Sequence, residues 1–224
     1  MPSVYTRKTL LLLAAGALVS ALLCVAATHH PYFPTDVALT RVVQAALAGP
    51  TGWAAWITAT ADKPGCFLLL AITVVLALII SGWRAALLSI PIFFGLWGFG
   101  VWLSPIAAQP RPSAELIAVV GHPKGYAFPS LFGLIYVATF GYVGALALAR
   151  LRGPMRWAVA IPAAGALLIG AAARIVLGAH WPSDLWVAYL IGLVWIGALI
   201  PLSRGDVDTS HAATAGSERR IKRA

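Results

Sequence analysis

Six apolar runs recur along 224 residues, and most of the charge lies between them. They cover 9–27, 66–80, 85–106, 129–149, 157–177 and 184–202. A helix needs about 20 apolar residues to cross the hydrocarbon of a bilayer. Backbone polar groups in lipid must bond within their own segment, so runs of this length specify helices. The second run is the shortest. The first resembles the apolar core of a signal peptide, but no small-residue cleavage site follows it, so it reads as a retained helix. The chain is 60% hydrophobic and 10% charged, with mean hydropathy +0.86. Soluble domains lie near about 45–50% and 25%. The expected fold class is all-α: a polytopic membrane protein of six transmembrane helices with an interfacial helical segment.

That segment is 35–63. Val37, Leu39, Val42, Val43, Ala46 and Leu47 recur at roughly helical spacing, and Pro50 and Gly52 interrupt before Trp53 and Trp56. An amphipathic helix followed by a second short one fits this pattern. Residues 1–65 therefore form an N-terminal span plus interfacial segment, 66–202 a membrane core, and 203–224 a polar, basic tail expected to be disordered. Cys24 and Cys66 are the only cysteines and are expected on the same membrane face, so one disulfide is open to them.

Net charge is +9, from 16 Lys and Arg against 7 Asp and Glu. Cytoplasmic loops carry the excess of lysine and arginine. With the N-terminus inside, Arg7, Lys8, Arg84, Arg150, Arg152, Arg156 and the five cations after residue 203 all fall inside, eleven of sixteen. Both termini are then cytoplasmic, and 28–65, 107–128 and 178–183 face the periplasmic or extracellular side. Cations that sort by membrane side form no single face for nucleic acid, and none is expected as a partner. The tail arginines read first as a topology signal, with contact to anionic lipid heads as the alternative.

The outer segments hold the chemistry. Arg174, His180 and Asp184 stand at the mouths of the last two spans, where charge is costly and by default marks function. Pro182 suits the first position of the last helix, placing Asp184 in its first turn, where the dipole favours it. One helical turn from His180, it can accept the Nδ1–H of the imidazole and leave Nε2 free to attack. Arg111 and Arg174 each offer a fork for phosphate oxygens. Pro129 marks another helix start with Ser130 in its first turn, where free N–H groups form an anion site. Taken alone, each also has a plain reading: an anchor, a cap, a snorkelling arginine. Together they fit phosphoryl transfer at a membrane surface.

These segments resemble the type 2 phosphatidic acid phosphatase family, which shares its helical core with vanadium haloperoxidases. The family pattern has a lysine, six residues, then Arg-Pro; then Pro-Ser-Gly-His; then Ser-Arg, five residues, His, three residues, Asp. Arg174, His180 and Asp184 match the third block, with Ala173 for its serine. Arg111-Pro112 matches the end of the first, with Ser104 at the lysine position. Pro129-Ser130 opens the second, followed by Leu131-Phe132 instead of Gly-His. The resemblance implies that His180 is the nucleophile, forming a phosphohistidine, that Asp184 orients it, and that Arg111, Arg174 and Ser130 cradle the phosphate. No cofactor or metal is implied.

The family's second-block histidine protonates the leaving group, and Phe132 has no proton to give. His122 and Lys124, in the same outer loop, are candidates for a replacement acid or a phosphate contact. Alternatively the leaving group needs little help, as in a polyprenyl diphosphate. The expected activity is that of a lipid phosphatase or phosphotransferase on a polyprenyl diphosphate, phosphatidate or phosphatidylglycerol phosphate. The other reading is a degenerate relative that binds or transports a phospholipid. The partner in either case is a phosphorylated membrane lipid. The alanine and glycine content permits close helix packing within one chain or in a homo-oligomer.

Overall fold

The computed structural model describes residues 5–203, which form helices and connecting loops. In chain order these are α1 Arg7–His29, α2 Asp36–Ala46, α3 Gly52–Ala59, α4 Gly65–Ser81, α5 Trp83–Ala107, α6 Leu131–Tyr136, α7 Tyr142–Arg150, α8 Gly153–Val176 and α9 Pro182–Leu199. A π turn, Val137–Gly141, joins α6 to α7 in one rod, and a 3₁₀ turn follows α9. All but one residue of the expected tail 203–224 lies outside the described residues.

Five stretches are long and apolar enough to cross a membrane: α1, α5, the α6–α7 rod, α8 and α9 with its 3₁₀ turn. The second of the six expected spans, α4, is shorter than these. Its 17 residues reach only about 25 Å at 1.5 Å per residue, against hydrocarbon about 30 Å thick. Gly82, at φ +84°, ends it before Trp83 opens α5. Cys24 and Cys66 are free thiols.

The α6–α7 rod is the centre of the bundle. In its most apolar stretch 72% of residues are buried, against 11% for α1, which meets lipid on most sides and packs on α9 and α5. The other helices gather round the rod: α4 and α8 against α7, α9 against α6 and the π turn. That approach needs a glycine. A Cβ at Gly192 would sit 2.1 Å from Cγ1 of Val137.

The segment 35–63 holds two helices, as its periodicity predicts. α2 clamps the long loop after α5. Arg41 donates through Nε and Nη2 to the Leu116 carbonyl at 3.0 and 2.8 Å. The Gln44 amide donates to the Ala118 carbonyl at 2.7 Å and accepts from the Ala118 N–H at 3.2 Å. α3 packs on α8, with Ala54 buried against Ala173, Val176, Leu177 and Ala179. The loop is also pinned to the α8–α9 turn, where the Val120 N–H donates to the Leu177 carbonyl. The chains pass so closely there that a Cβ at Gly178 (φ +62°) would lie 2.2 Å from the Ala118 oxygen. The end of α5, the starts of α6 and α9 and the end of α8 thus converge at one end of the bundle.

Candidate active site

The start of α9 builds the first part of the site. Trp181 is the N-cap and Pro182 the first helical residue. Asp184, in the third position, turns its carboxylate back, and Oδ2 accepts the Trp181 N–H at 2.8 Å. This is the returning half of a capping box. It aims the same oxygen at His180, whose Nδ1 lies 3.3 Å away. Both side chains are buried, at 2% and 0% exposure.

Arg111 lies against the His180 ring, its Nη1 3.3 Å from Nδ1 and nearer still to the other nitrogen. Its Nη1 is 2.8 Å from Nε2 of His180. A guanidinium only donates, so Nε2 must accept and the ring proton resides on Nδ1, facing Asp184. The free lone pair is therefore on Nε2, toward Arg111. Arg111 is held by the Ala179 carbonyl through Nη1 at 2.7 Å and by the Lys124 carbonyl through Nη2 at 3.1 Å. Burial lowers the pKa of Arg111 from its ordinary value, and the nearby Asp184 opposes this. Burial, then the charges of Arg174 and Arg111, hold His180 well below its ordinary value. The imidazole is neutral at neutral pH.

Arg174 reaches the site from the end of α8. Its Nη1 lies 3.3 Å from Thr58 Oγ1, and its guanidinium carbon is 5.4 Å from the centre of the Phe132 ring. Phe132 stacks on Tyr136, centroids 4.1 Å apart and planes at 27°. The Tyr136 hydroxyl is 2.6 Å from Thr60 Oγ1. Phe132 therefore supports a cation through its π face, an interaction of about 0.5–2 kcal/mol.

These groups surround a cavity of about 170 Å³ lined by Thr58, Ala61, Asp62, Arg111, Leu131, Phe132, Ile135, Arg174 and His180. A second cavity of about 280 Å³ shares Arg111 and Leu131 and adds Ser104, Lys124 and Tyr126. Lys124 thus lines the same hollow as Ser104. A further cavity, about 610 Å³ between α1, α5 and α9, is apolar and shares no residue with either. It offers no chemistry and is not the site. Among the described residues, no group of three or more histidine, cysteine or carboxylate side chains is placed to hold a metal ion.

Two expected positions fall elsewhere. Pro129 precedes the helix, and Ser130 is the N-cap of α6, its Oγ accepting the Gly133 N–H at 3.1 Å. The Ser130 N–H donates to the Asp184 carbonyl, and the residue is fully buried and lines neither cavity. His122 is exposed on the loop and lines neither cavity. Sequence reasoning missed Thr58, Asp62 and Asp36. Asp36 is 1% exposed and accepts from the Phe33 N–H at 2.8 Å, the Ser183 N–H at 3.0 Å and the Ser183 hydroxyl at 2.6 Å. It ties the start of α2 to the turn that carries Asp184. An acidic residue at a helix start was the only signal available.

No protein-family model matches the chain, and no curated protein matches it in sequence. Among solved structures, it is similar to the crystal structure of a transmembrane PAP2-type phosphatidylglycerolphosphate phosphatase from Bacillus subtilis. The TM-score is 0.65 at 17% identity, covering 84% of this chain and 93% of that one. With its membrane-length apolar helices, the protein is an integral membrane protein carrying the helical fold of the PAP2-type phosphatases, as the Arg174, His180 and Asp184 block implies.

Proposed function

We propose that the protein is a membrane lipid phosphate phosphatase or phosphotransferase working through a phosphohistidine at His180. The observation that carries this is the Asp184–His180–Arg111 chain, which leaves a neutral imidazole with its Nε2 lone pair toward a cavity walled by two guanidinium groups. Nε2 forms a bond to phosphorus as the bond to the leaving oxygen breaks. Asp184 then stabilises the positive ring through Nδ1–H. Arg111 moves from Nε2 to the phosphoryl oxygens, where its fork and that of Arg174 match the developing charge. Water, or a second lipid hydroxyl in a transferase, then takes the phosphoryl group and restores the imidazole. Lys124 brings a charge to the hollow that also holds Ser104, and serves as a further phosphate contact.

Substrates are lipids with a terminal phosphate: phosphatidylglycerol phosphate, the substrate named for the B. subtilis protein, phosphatidate or a polyprenyl diphosphate. The site faces the non-cytoplasmic side, on the sorting of cations. The second reading, a non-catalytic phospholipid binder, is favoured by Phe132, which places an apolar ring in the cavity where the family has a histidine. Phosphate release by purified protein from the three lipids, with His180→Ala as control, separates the two. Release that the variant lacks supports the enzyme. No release above the variant from a folded sample supports the binder.

A further inference from the structure

The catalytic reading leaves a gap. A lipid alkoxide is a poor leaving group and needs a proton, and the water that later attacks the phosphohistidine must lose one. Phe132 does neither. The groups lining the cavity narrow the choice. Both arginines stay charged at any working pH. Thr58 is a hydroxyl with no acidity to spare, and its Oγ1 lies against Arg174. His180 Nε2 is consumed by the bond to phosphorus, and Nδ1 faces Asp184. Leu131, Ile135, Ala61 and Phe132 are apolar. The remaining group is the carboxyl of Asp62.

Its placement suits the task. Asp62 sits in the turn between α3 and α4, across the cavity from α6. The turn is held by backbone bonds, from the Asp62 N–H to the Ala59 carbonyl at 3.2 Å and from the Cys66 N–H to the Asp62 carbonyl at 2.9 Å. It is tight: a Cβ at Gly65 would lie 2.7 Å from the Ala59 oxygen. Ala61 is buried beside it, while Asp62 itself is exposed. Asp62 is thus an exposed residue of the cavity lining, open to solvent. It lies close enough to Arg174 to act on that charge. Its neighbour Lys63 turns away, with Nζ 5.1 Å from the Trp97 ring centre.

We infer that Asp62 is the acid–base residue of this site, an inference that rests on the phosphohistidine reading above. In the first step Nε2 bonds to phosphorus, the phosphorus–oxygen bond to the lipid breaks, and the Asp62 carboxyl proton goes to the departing oxygen. In the second, water attacks phosphorus and its proton goes to the Asp62 carboxylate. The phosphorus–nitrogen bond then breaks, its pair returning to Nε2. Asp62 ends protonated and His180 neutral, ready for the next lipid. On the first turnover the proton comes from the bound phosphate monoanion, whose second pKa is about 6.

The test is leaving-group dependence in the detergent-solubilised full chain, with Asp62→Asn as the near-isosteric variant. A short-chain phosphatidate needs the proton, whereas 2,4-dinitrophenyl phosphate does not. Asp62→Asn is expected to lower kcat/KM on phosphatidate by about 10²–10⁴-fold, the usual worth of a general acid, and on the aryl phosphate by less than about tenfold. It should also show a burst of dinitrophenol followed by slow turnover, because hydrolysis of the phosphohistidine lacks its base. The burst itself reports a folded site. Equal losses on both substrates, or no loss on either, overturn the assignment. Failure of the underlying reading looks different: wild type and His180→Ala then release the same amount from both substrates.

Discussion

Asp36 is the residue whose removal best tests how the site is held. It lines neither cavity, yet it anchors the turn that presents Asp184. In Asp36→Ala two partly buried N–H groups, those of Phe33 and Ser183, lose their acceptor, while the Ser183 hydroxyl can rotate elsewhere. Each orphaned donor costs about 1–3 kcal/mol. The sum is about 3 kcal/mol, which lowers the melting temperature of a chain this size by about 6–12 °C. Freed from α2, the first turn of α9 lets the His180–Asp184 geometry loosen, and a misplacement of about 1 Å costs on the order of 10²-fold in rate. The loss should fall on kcat with KM little changed. Thermal unfolding in detergent and steady-state phosphate release, measured together, check this. Asp36→Ala with wild-type melting and wild-type kcat refutes the reasoning, and a rise in KM at constant kcat shows that Asp36 acts on binding instead.

Three more outcomes are expected. Gly178→Ala puts a Cβ into the Ala118 carbonyl at a positive φ, so it should cost several-fold in folded yield and about 1–3 kcal/mol; a wild-type melt would contradict the close crossing. The pH profile follows from His180: protonation blocks Nε2, burial and two arginines oppose it, and so the acid limb of kcat/KM should lie well below pH 6.5, with activity falling only as pH drops through that depressed value; a limb at or above 6.5 overturns the buried, arginine-flanked imidazole. Phe132→His places a second proton donor on the cavity wall and, in the Asp62→Asn background, should raise phosphatidate hydrolysis by about tenfold or more, the gain reduced by the lost contact with Arg174; no gain there means that α6 presents this position differently from the family.

The spans were legible because each is a long apolar run with few charges, and only α4, at 17 residues, falls short of the others. The pairing of His180 with Asp184 was legible because it is local: one helical turn and a proline at the first position set it. Ser130 was misread by one residue. Pro-Ser permits either residue to open the helix, and the capping preference of serine placed it outside. Asp36 and Asp62 were not legible as site residues. They lie far along the chain from the residues they come near, in an interfacial segment whose charges look like ordinary solvated ones, and only the packing of α2 and α3 on α8 and α9 brings them in.

The central claim, that His180 carries the phosphoryl group, is tested most directly by trapping it. Purified protein is mixed with phosphorus-32-labelled phosphatidate, quenched in base, digested and mapped by mass spectrometry. The account predicts an acid-labile, base-stable phosphate on the peptide containing His180, absent in His180→Ala. Turnover with no such adduct, or an adduct on another residue that persists in His180→Ala, contradicts it.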